Sequence, residues 1–103
     1  MLLGEETMSL LNTNQINEAL KKLNQWEYKN NAISRSFKFS TYMEGISYVQ
    51  SLALIAESEN HHPDITIGWC KVKIEYTSHD LGGITDNCIK MATLTTNLFK
   101  KKN

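Results

Sequence analysis

The stretch His61–Asp80, HHPDITIGWCKVKIEYTSHD, decides the fold. After Pro63 the apolar side chains Ile65, Ile67 and Trp69 fall at every second position. Val72, Ile74 and Tyr76 do so again after a short break near Gly68–Lys71. A period of two puts alternate side chains on one face of a strand, so the stretch predicts a β-hairpin. The open end of that hairpin carries His61 and His62 on the way in and His79 on the way out. Pairing of the two strands therefore brings distant histidines together.

Working upstream, Thr41 and Glu44 form a capping box, and Ile46, Val49, Ala53 and Ala56 continue it as a helical stripe. That helix runs to about Ser58 and must stop before His62, because a residue preceding proline is pushed out of the α region. Before it, Trp26 and Tyr28 alternate with polar neighbours. Asn30-Asn31 is a turn pair that tolerates positive φ, and Ile33, Arg35, Phe37 and Phe39 share one face, which makes a second hairpin. Ile16, Ala19, Leu20 and Leu23 mark a helix from about Asn14, with Asn12, Thr13 or Asn14 as its cap. Downstream, Gly82-Gly83 breaks the chain, Thr85 caps, and Cys88, Ala92, Thr95 and Phe99 mark a last helix. The order α-β-β-α-β-β-α predicts an α+β fold, a four-stranded antiparallel sheet with three helices packed on one face. Residues 1–11 read as a flexible lead-in and residues 12–103 as a single domain.

A chain of 103 residues suits one compact domain and is too short for two. Its 41% apolar and 21% charged residues are those of a soluble globular protein. Eleven basic residues balance eleven acidic ones, which removes the electrostatic footprint of direct nucleic-acid binding. No apolar run approaches the roughly 20 residues that cross a bilayer, so no membrane partner is expected. The opening MLLGEETMSLL carries acids where a signal peptide carries positive charge, and no Arg-rich amphipathic leader marks mitochondrial import. Cys70 and Cys88 form no CxxC and no disulfide framework, so a cytoplasmic location is the expectation. There is no internal repeat, and Lys100–Lys102 reads as a solvated end.

The chemistry concentrates in the histidines. Imidazoles titrate near pH 6.5, so convergent ones can serve as acid and base at once. Isolated histidines are usually surface or structural residues; three gathered at one sheet edge beside Asp80 point to a site. Zinc held by His61, His62 and His79 is the metal alternative. Adjacent residues in extended backbone point to opposite sides, which sets His61 and His62 against sharing one ion, and no metal is expected. No serine or cysteine is matched to a base as a nucleophile. Cys70 lies at the turn end of its hairpin, and Cys88, at the start of the last helix, reads as a small buried packing residue. Trp26, Tyr28, Phe37 and Phe39 read as core and interface packing rather than a stacking platform for bases, and Trp69 reads as packing too. Gly82-Gly83 lacks the lysine and spacing of a phosphate loop.

Ala56-Glu57-Ser58-Glu59-Asn60-His61-His62-Pro63-Asp64, Val72 and Ile74, Thr77-Ser78-His79-Asp80, Gly83-Ile84-Thr85 and Ala92 together resemble the pterin-4a-carbinolamine dehydratase family. The resemblance spans most of the chain. It implies helices on a four-stranded antiparallel sheet and dehydration of 4a-hydroxytetrahydrobiopterin to the quinonoid dihydropterin, without metal or organic cofactor. The resemblance also implies a place in tetrahydrobiopterin recycling and a functional link to an aromatic amino acid hydroxylase. The resemblance casts His61 and His79 as acid and base without deciding which is which. It makes His62 a substrate-positioning residue with a catalytic contribution, places Asn60, Thr77, Ser78 and Asp80 around the pterin, and has Glu57 orient an imidazole.

Two departures stand out. Many members carry an acid early in the last helix where this chain has Cys88, with Asp86 as a candidate substitute. Relatives often have an aromatic soon after the HHP-acid run, where this chain has Ile65. Neither departure is expected to touch the three histidines. The family also implies a homodimer or homotetramer. A non-catalytic interaction or dimerisation-cofactor module of the same fold is the alternative, and a dehydratase adapted to another pterin, as in molybdopterin metabolism, is a weaker third reading.

Overall fold

Local side-chain chemistry starts and stops each element. In the computed structural model, which describes residues 9–102, helix α1 (Thr13–Leu20) is capped by Asn12. The Asn12 side chain accepts from the Gln15 N–H, and the Gln15 side chain accepts from the Asn12 N–H, both at 2.8 Å. This reciprocal pair satisfies two donors that the helix start leaves without partners. Leu23 reaches the core from the turns that follow the helix rather than from its stripe. Strands β1 (Glu27–Lys29) and β2 (Ala32–Lys38) pair across Asn30 and Asn31, both at positive φ, 54° and 61°. That is the turn geometry which asparagine tolerates and which matches the twist of the strands. Helix α2 (Tyr42–Glu59) starts on the Thr41–Glu44 capping box. Strands β3 (Asp64–Ile67) and β4 (Lys71–Tyr76) follow, and helix α3 (Asp86–Lys102) closes the chain.

The α+β order α-β-β-α-β-β-α is the one expected. The sheet is antiparallel throughout, in the order β1-β2-β4-β3, so β3 is an edge. Val72, Ile74 and Tyr76 of β4 are buried beneath the helices, while Lys71 and Lys73 point to the exposed face. Between sheet and helices, the Phe37 ring lies 5.4 Å from that of Tyr48 and 4.8 Å from that of Phe99. Buried hydroxyls are paired as burial requires. Trp26 Nε1 donates to Thr96 Oγ1 at 2.8 Å, and Tyr48 donates to the Thr95 carbonyl at 2.7 Å. Trp26 and Phe37 are thus core residues.

Two expectations are corrected. The buried face of α2 is Gly45, Tyr48, Leu52 and Ala56. Ala53 is exposed and Ile46 and Val49 lie at the margin, because the tyrosine and leucine rows bury more area than the stripe through Ala53 and win the core. Trp69 is 81% exposed in the turn between β3 and β4 instead of packed. Of the lead-in expected over residues 1–11, residues 1–8 lie outside the described residues. Leu10 bridges Thr85, and the Leu11 N–H donates to the Ile84 carbonyl at 2.8 Å, so this end is tied to the start of α3. Among the described residues, no helix is long and apolar enough to cross a membrane.

Candidate active site

The site begins with the end of α2. Asn60 takes the left-handed conformation, φ 53° and ψ 41°, which asparagine adopts at less cost than most residues. The His61 N–H then closes back onto the Ala56 carbonyl at 3.2 Å, and Pro63 keeps the chain from resuming a helix. This sharp exit sends two adjacent imidazoles into different surroundings. The half-buried His61 ring stacks on Tyr76, with centroids 5.9 Å apart and planes at 13°, and its Nε2 lies 3.3 Å from Cys88 Sγ. The exposed His62 places Nε2 2.5 Å from Glu57 Oε2.

The third imidazole comes from the loop after β4. The Ser78 N–H donates to the Gly83 carbonyl at 2.8 Å, and the Gly82 N–H, at φ 72°, returns to the Ser78 carbonyl at 2.8 Å. The buried Ser78 hydroxyl accepts from the Leu81 N–H at 3.3 Å, and the Thr77 hydroxyl donates to the Asn31 carbonyl at 2.7 Å. Thr77 and Ser78 thus use their hydroxyls to hold the loop, and His79 and Asp80 stand exposed at its tip.

One cavity of about 430 Å³ joins these segments; His61, His62 and His79 line it, with Asn60, Thr77, Ser78 and Asp80. That volume suits a single small-molecule ligand. Glu57 is not part of the lining; it stands behind His62. Glu59 and Asn87 complete the wall, and sequence reasoning missed both. Glu59 is the last residue of α2 and pairs with Lys90 at 2.7 Å. Asn87 comes from the first turn of α3, and nothing in the spacing of that helix announces it.

The expectation that the Cys88 departure leaves the histidines untouched is also corrected. Cys88 is buried as anticipated, but the docking of α3 under α2 sets its sulfur against His61. Ile65 packs, half-buried, opposite Ile74 on β4. Cys70 stays at the far end of its hairpin, its Sγ 3.8 Å from the Ser40 carbonyl.

Electrostatics separates the groups further. Burial, reinforced by the neighbouring His62 and His79, holds His61 below the ordinary imidazole pKa, so its neutral form is favoured. Burial pushes the Tyr76 hydroxyl up to about 12. Thr95 Oγ1 donates to the Met91 carbonyl at 2.6 Å, so Tyr76 donates to Thr95 Oγ1 at 2.7 Å and remains a neutral wall for His61. Among the described residues, no group of three or more His, Cys, Asp or Glu side chains is arranged to hold a metal ion.

The open hairpin end of this α+β fold gathers three imidazoles around a small cavity, which makes it the candidate site of a histidine-lined fold. The chain belongs to the pterin 4 alpha carbinolamine dehydratase family, whose sequence profile matches residues 9–98. A protein of Nitrosospira multiformis, provisionally named a pterin-4-alpha-carbinolamine dehydratase, is 34% identical over 96 residues, 93% of this chain and 85% of that one. The crystal structure of a transcriptional coactivator/pterin dehydratase from Brucella melitensis superimposes with a TM-score of 0.84 at 32% identity, covering 87% of this chain and 98% of that one. A pterin dehydratase-like protein identified as a RuBisCO assembly factor in the alpha-carboxysome shares the fold, with a TM-score of 0.59 at 23% identity over 72% of this chain and 86% of that one.

Proposed function

We propose that the protein dehydrates 4a-hydroxytetrahydrobiopterin to quinonoid dihydropterin and water. The observation that carries this reading is the shared cavity between His61 and His79. In the substrate, a hydroxyl sits on the carbon next to a ring N–H. Protonation of that oxygen breaks the C–O bond and releases water. The nitrogen lone pair forms the C=N bond, and the N–H proton leaves to a base. One proton is delivered and one removed, so an acid and a base near neutrality suffice. The neutral form favoured for His61 suits it to receive the N–H proton, and His79, across the cavity, delivers the other. His62, held by Glu57, positions the ring, and Asn60 and Asp80 complete the pterin site with the loop anchored by Thr77 and Ser78.

The reading further includes tetrahydrobiopterin recycling beside an aromatic amino acid hydroxylase, a cytoplasmic location and a homodimer or homotetramer. The edge strand β3 and the exposed Met43 and Leu54 of α2 supply candidate contacts for the oligomer. Those same surfaces favour the second reading, a non-catalytic interaction module, which the description of the Brucella melitensis protein as a transcriptional coactivator also supports.

Turnover separates the two. Added to 4a-hydroxytetrahydropterin, the protein accelerates loss of water above the spontaneous rate and continues to do so after exhaustive chelation. Decay at the spontaneous rate contradicts the enzyme reading and leaves the interaction module.

A further inference from the structure

We infer that Cys88 is a positioning residue for His61: its sulfur takes Nε2, which makes Nδ1 the nitrogen that exchanges a proton with the bound pterin. The inference rests on the dehydratase reading for its meaning, and its test is made without substrate.

The sulfur is firmly held. Cys88 is fully buried in the first turn of α3, and its N–H donates to the Thr85 carbonyl at 3.0 Å. The Thr85 hydroxyl donates to Cys88 Sγ at 3.6 Å, which uses the sulfur as an acceptor. His61 Nε2, 3.3 Å away, completes the chain Thr85–Cys88–His61, and we assign the ring proton to this contact. Stacking on Tyr76 fixes the plane of the imidazole, and the sulfur fixes its rotation within that plane. With Nε2 turned to a buried partner, the unprotonated Nδ1 is left to act as the base. The hydrogen bond made by one ring nitrogen sets the protonation of the other.

The identity of the partner also sets basicity. The groups facing His61 are Cys88 from α3, Tyr76 from β4, His62 on its own segment and His79 from the loop after β4, with Glu59 and Asp80 on the cavity wall. Among the described residues, no carboxylate bonds the His61 ring. A thiol is a weak, uncharged acceptor, so it orients the imidazole without stabilising the imidazolium. A carboxylate in the same place would do both.

Ring-nitrogen NMR of ligand-free protein tests this. His61 is expected to carry its proton on Nε2 in the wild type. Cys88→Ser keeps that tautomer but displaces the Nε2 resonance, since oxygen replaces sulfur. Cys88→Asp raises the His61 pKa by about 1–3 units, followed on the same ring resonances in ligand-free protein. A wild-type ring protonated on Nδ1, or His61 titrating alike in wild type and Cys88→Asp, overturns the inference. Where the Asp variant does not fold, an Nε2 resonance unmoved in Cys88→Ser overturns it. The expected spectra in a protein without turnover support the Cys88–His61 coupling and contradict the dehydratase reading instead.

Discussion

The two histidine-bearing segments are held by different means. The first is the exit of a long helix: Asn60 turns the chain, and side chains from β4 and α3 then clamp the His61 ring. The second is a loop closed by its own backbone between Ser78 and Gly83, which leaves His79 exposed at the tip. The clamped imidazole loses water and is driven toward its neutral form; the loop imidazole keeps its hydration. Such a split in environment allows one residue type to play two opposite parts in a proton transfer.

The largest expected effect comes from removing either ring. His61→Ala and His79→Ala each lower kcat by about 10²–10⁴-fold, the usual range for a lost general acid or base, with circular dichroism unchanged. The backbone devices come next. Asn60 and Gly82 both sit at positive φ, and Asn60→Ala or Gly82→Ala costs about 1–2 kcal/mol of stability in denaturant titration. Asn60→Gly relieves the strain, and its midpoint stays within about 0.5 kcal/mol of wild type. A loss from Asn60→Gly as large as from Asn60→Ala would show that the side chain, not the turn, holds the first segment.

The pH dependence sharpens the contrast. The folded pKa of His61 lies below its unfolded value near 6.5, so the unfolded chain binds the proton more readily in acid. The stability from burying this ring neutral is fully present above about pH 6.5 and is lost as the pH falls toward the lowered value. Denaturation midpoints of the wild type should fall over that window more than those of His61→Gln. The smallest effect belongs to Glu57→Gln. The Glu57–His62 pair is largely exposed, so its loss costs no more than about 1 kcal/mol, read as a change in KM of roughly fivefold or less.

Much of this was legible in the chain. Period-two runs either side of Asn30-Asn31 and Gly68–Lys71 define both hairpins, and a hairpin with His61 at one open end and His79 at the other must bring them together. Thr41 with Glu44 marks the start of α2 for the same local reason. The inner face of α2 was not legible, because apolar side chains such as Met43, Ile46 and Leu54 lie around much of its circumference, and only docking selects Tyr48 and Leu52. The Cys88–His61 contact joins elements that are distant in sequence, and no periodicity reports on that. Trp69 shows the limit of alternation, since the pattern runs on into a turn where no core remains to pack against.

The central claim is that one imidazole from each segment works on the same bound ring. A double-mutant cycle on dehydration of 4a-hydroxytetrahydropterin, comparing His61→Ala, His79→Ala and the two together, tests it most directly. Groups that act as a unit are strongly non-additive, so the double variant should be little slower than the slower single one. Losses that multiply in full, or either single variant turning over at the wild-type rate, would contradict the claim.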